Sequence, residues 1–132
     1  MIVGVVATAA LGSRDATEYL RTLAAFVALD LPVRVFEVGP GIGALSGDGR
    51  DLEPDGEHYL AALRDEGVAI EPGAGLPAAL AAARAVLVFA DPARAGVPAV
   101  LTLRRGRPPT AADVDALVSA GQVRLDGLVG DP

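Results

Sequence analysis

The chain has 132 residues, a formal net charge of −6 and a hydrophobic fraction of 52%, enough for one self-supporting core but not for several domains. All eleven basic residues are arginine and there is no cysteine, which excludes Schiff-base lysines, pyridoxal-phosphate linkage, a Walker A lysine, disulfides, thiolate nucleophiles and zinc-thiolate or iron-sulfur sites. The acidic balance repels phosphate backbones and anionic lipid, so neither nucleic acid nor a membrane surface is an expected partner. Surplus apolar surface on a domain this small points to an oligomer interface.

Ile2 to Ala7 is a nearly continuous β-branched run, the pattern of a strand buried on both faces of a parallel sheet. It is short, without a basic flank, and no run approaches the ~20 apolar residues of a membrane span. A cytoplasmic location is the expectation. After the loop Thr8 to Ser13, Asp15 and Glu18 have capping-box spacing, and Tyr19, Leu20, Leu23, Phe26 and Val27 recur every three or four residues on one helical face. Leu31-Pro32 ends that helix, and Val33, Val35 and Val38 supply a second strand.

Gly39 to Gly56 has no apolar period and reads as a long loop with a short helical turn around Ile42 to Leu45. Asp55 is a candidate cap for a helix over Glu57 to Glu66, with Tyr59, Leu60 and Leu63 inward and Gly67 in the left-handed stop position. Val68 to Ile70 reads as a third strand. Pro77 opens a helix to about Arg84, and Val86 to Phe89 form a fourth strand. Val97 to Leu103 is open between strand and short helix. Thr110 to Gly121 reads as a helix, and Val123 with Leu125 as a final half-exposed strand. The expected architecture is a single three-layer α/β domain with a mostly parallel sheet of four to six strands flanked by helices.

The order of elements, with Gly39-Pro40-Gly41-Ile42-Gly43 following the second strand, resembles the DsrE/DsrF-like family, closest in pattern to its TusC-type members within the TusB, TusC and TusD group. The resemblance is carried by Val3 to Ala7, Thr8 to Ser13, Glu18 to Leu29, Val33 to Leu45, Tyr59 to Leu63 with Gly67-Val68, and Gly75 to Phe89; residues 91–132 have no clear counterpart. It implies a compact α/β protomer that assembles with itself or with related subunits and handles sulfur as a cysteine persulfide. Sulfur-carrying members place that cysteine in the loop after the third strand, which here reads Glu71-Pro72-Gly73-Ala74-Gly75. Persulfide transfer needs a thiolate. The resemblance therefore implies a non-catalytic accessory or binding subunit of a sulfur-relay-type system, with no cofactor.

A different reading is a small-molecule enzyme or sensor, with Gly12, Ser13, Gly39, Gly41 and Gly43 around a small anionic ligand at the carboxyl edge of the sheet. Against it stand simple N-capping by Ser13 and a purely structural turn for the glycines. His58 is the only histidine and lacks a second one to work with. The acidic run Asp48, Asp51, Glu53, Asp55 and Glu57 has oxygen ligands for a hard cation but no EF-hand order. Arg104, Arg105 and Arg107 could grip an anion or simply face water.

Overall fold

A computed structural model describes residues 1–47 and 51–90 in full, the backbone of 99–102, and residues 110, 112 and 114. Strands β1 (Ile2–Val6), β2 (Val33–Glu37), β3 (Ile70–Pro72), β4 (Ala85–Phe89) and β5 (Ala99–Thr102) form one sheet in the order β3-β2-β1-β4-β5. The first four are mutually parallel, and β5 runs antiparallel to β4 at the edge. Helices α1 (Arg14–Ala28), α2 (Pro54–Asp65) and α3 (Leu76–Ala81) make the connections. The α/β domain read from the sequence is therefore present, and the open stretch around Ala99 to Thr102 is a strand.

Side-chain parity assigns the layers, because neighbouring strand residues point to opposite faces. Ile2, Val6, Val33, Val35, Leu87 and Phe89 pack with Tyr19, Leu20 and Leu23 of α1 and Leu60 and Leu63 of α2. Val3, Val5, Phe36, Val86 and Val88 pack on the other face with Leu76, Ala79 and Leu80 of α3, joined by Val114. The central strand β1 is buried along its whole length, as its unbroken apolar run requires.

Local chemistry moves several element ends from their expected places. Ser13, not Asp15, caps α1: its hydroxyl accepts the Ala16 amide at 3.2 Å, and Glu18 instead pairs with Arg14 and Arg21. Helix α2 opens at Pro54 with Glu53 in the cap position, so Asp55 lies in the first turn, where a carboxylate still favours the positive helix end. At the other end the Val68 amide bonds Leu63 O and the Gly67 amide bonds Arg64 O, with Gly67 at φ +84°. This is a Schellman closure. It consumes the Val68 amide, so β3 begins at Ile70 rather than Val68. Helix α3 stops at Ala81 and β2 at Glu37, each a little short of the sequence expectation.

Tyr19 fastens α1 to the sheet. Its buried hydroxyl donates to Leu87 O at 2.7 Å, with Val5 O at 3.3 Å, and its ring packs 5.3 Å from that of Phe89. Burial drives the phenol's pKa far above its ordinary value. The residues expected to form the last strand, Val123 and Leu125, and most of the Thr110 to Gly121 helix lie outside the described residues, although Ala112 and Val114 are helical.

Candidate functional site

In this strand order the chain steps outward from β1 to β2 to β3, then crosses to β4 on the other side of β1. The carboxyl ends of the strands, where open parallel sheets hold ligands, carry the β1–α1 loop, the glycine loop after β2 and the turn after β3. All five glycine-loop candidates lie along this edge: Gly12 and Ser13 after β1, and Gly39, Gly41 and Gly43 after β2.

The glycine loop is built around a residue that the sequence reading did not single out. Glu37 is 5% exposed, and its carboxylate accepts four hydrogen bonds. Oε1 receives the Gly43 amide at 3.0 Å and the Ser46 hydroxyl at 2.7 Å. Oε2 receives the Leu45 amide at 2.7 Å and the Ser46 amide at 3.1 Å. Burial opposes ionisation, but the Ser46 hydroxyl and the Leu45, Gly43 and Ser46 amides outweigh it and hold the pKa below the ordinary carboxylate value. The loop is an anion cradle whose anion is the chain's own.

Each glycine has a separate reason. Gly39 and Gly43 have φ of +50° and +82°, a conformation that strains any side chain. A Cβ on Gly41 would fall inside the Val6 carbonyl, so the loop can lie across the end of β1 only because that position is bare. A 3-10 turn spans Gly39–Gly41, three to four residues before the helical turn expected around Ile42 to Leu45, where hydrogen-bonded turns continue the loop. Glu37 was findable in principle: an acidic residue closing an apolar strand just before a glycine-rich segment is positioned to collect that segment's amides.

The β1–α1 loop is similarly occupied from within. The Ala10 amide bonds the Thr8 hydroxyl at 3.1 Å, and the Ser13 hydroxyl is engaged in capping. A Cβ at Gly12 would lie 2.8 Å from an Asp51 carboxylate oxygen. The Thr17 hydroxyl donates to Glu53 at 2.5 Å, and Asp55 pairs with Arg14 at 3.7 Å. The acidic run therefore lays carboxylates along the start of α1, where the helix dipole favours them. Its members disperse rather than converge, and among the described residues no group of His, Asp or Glu side chains could hold a metal ion. Asp48 and the arginines Arg104, Arg105 and Arg107 lie outside the described residues.

A pocket of about 280 Å³ opens beside the glycine loop, lined by Glu37, Ile42, Gly43, Ser46, Ile70, Pro72 and Gly73. The turn after β3 thus faces the glycine loop directly. Its other neighbour is the ion pair of Arg34 with Glu71, bidentate at 2.9 and 2.6 Å, in which the Arg34 hydrogen bond keeps Glu71 below the ordinary carboxylate range. The Arg34 guanidinium also lies 5.0 Å from the Phe36 ring centre.

A larger groove of about 370 Å³ lies at the opposite end, between the last turns of α1 and α2, lined by Ala24, Val27, Ala28, Asp30, Ala62, Asp65 and Glu66. Its polar side chains are three carboxylates, so it has no side-chain donor to orient a substrate. His58 is exposed and meets only the edge of Tyr59 among ring partners, at 5.5 Å.

Chemically, the carboxyl edge offers an apolar pocket, hydroxyls of Thr8, Ser13 and Ser46 that are already hydrogen bonded, the saturated Glu37 carboxylate, and the carboxylates of Asp51, Glu53, Asp55 and Glu71 around it. The hydroxyl–carboxylate pairs among the described residues, Ser46 with Glu37 and Thr17 with Glu53, lie in the loop cradle and in the contact between α1 and the segment before α2. No helix among them is long and apolar enough to cross a membrane. No protein-family model matches the chain, and no match emerges among characterised proteins or solved structures.

Proposed function

We propose that this chain is a non-catalytic, oligomeric binding subunit of DsrE/DsrF-like type that holds or steers partners in a sulfur-relay-type system and does not itself carry sulfur. The observation that carries the reading is the turn after β3. It lies against the glycine loop at the carboxyl edge, in the position where the resemblance places a persulfide cysteine, and it reads Glu71-Pro72-Gly73-Ala74-Gly75. The surroundings suit a binding surface: an apolar pocket framed by a loop that Glu37 holds through four hydrogen bonds, in a chain without a thiol.

The anionic-ligand reading has less behind it, because the amides of Gly43, Leu45 and Ser46 already serve Glu37 and Asp51 stands over Gly12. The test is incubation of the purified chain with a low-molecular-weight persulfide donor, followed by intact-mass analysis. The proposal expects an unmodified chain. A covalent sulfur adduct stable to desalting would refute it.

A further inference from the structure

We draw no further inference here: the strongest candidate, the groove between the last turns of α1 and α2 with Asp30, Asp65 and Glu66 along it, is an acidic cluster, and nothing in the structure shows what covers it.

Discussion

Replacing Glu37 by glutamine keeps the shape of the side chain and removes its charge and one of its two acceptor oxygens. The carboxylate accepts two bonds on each oxygen, so whichever position the new NH₂ group takes, it meets donors. Facing Leu45 and Ser46 it would strand the buried Leu45 amide. Facing Gly43 and Ser46 it strands only the Gly43 amide, because the Ser46 hydroxyl can turn and accept, and this is the orientation expected. The Gly43 amide is only part-buried, so stranding it costs toward the lower end of the range of about 1–3 kcal/mol for a buried amide, and the surviving bonds lose the extra strength that an ionised acceptor confers. The sum is a destabilisation of about 2–3 kcal/mol, a large share of the roughly 5–15 kcal/mol that holds a domain folded.

Guanidinium unfolding followed by circular dichroism reads this as a lower midpoint at unchanged slope. The pH dependence gives an independent sign. The Glu37 pKa is lower in the folded chain, so its contribution is fully present above the unfolded carboxylate value, about 4.3, and is lost as pH falls through the folded value. The gap between wild type and Glu37→Gln should therefore be constant near neutrality and close below about pH 4. A gap under about 0.5 kcal/mol at pH 7, or one that persists undiminished to pH 3, would refute the cradle account.

Glu37→Ala empties the cradle and leaves its donors in place; sodium acetate at ~100 mM should raise its melting temperature more than that of the wild type, since a ligand selective for the folded state stabilises it, and equal responses would contradict this. Phosphate and sulfate at millimolar concentration should leave the wild-type melting temperature unchanged, because Glu37 and Asp51 already stand where an anion would sit; a saturable rise would restore the ligand-site reading. Gly41→Ala should cost about 2 kcal/mol or more, since its methyl group displaces the Val6 carbonyl, and a neutral outcome would mean the loop does not lie across β1. Tyr19→Phe should cost about 1–2 kcal/mol through the lost bond to Leu87 O, measured by the same unfolding assay.

The elements that could be read from the sequence were those with strong periodicity. The apolar runs of β1 and β4 and the three-four spacing of α1 admit one reading each, and their burial follows from it. Boundaries were less legible because they depend on single hydrogen bonds: the Val68 amide is committed to Leu63 rather than to a strand, and Pro54 starts α2 one residue before Asp55 could cap it. The candidate site was legible as a place, since the glycine segment follows a strand, but not as a device. Periodicity treats Glu37 as one more strand position, and only the folded loop shows that its carboxylate has taken the amides that an external anion would need. Nothing in the residue pattern foretells that Pro72 and Gly73 line the same pocket as Ile42, because that contact joins segments brought together only by the pairing of β2 with β3.

Native mass spectrometry of the chain after exposure to a persulfide donor tests the central claim most directly, because one spectrum reports both assembly and covalent state. The account predicts a particle whose mass is an integral multiple of the unmodified chain. A monomer, or subunits heavier by one or more sulfur atoms, would contradict it.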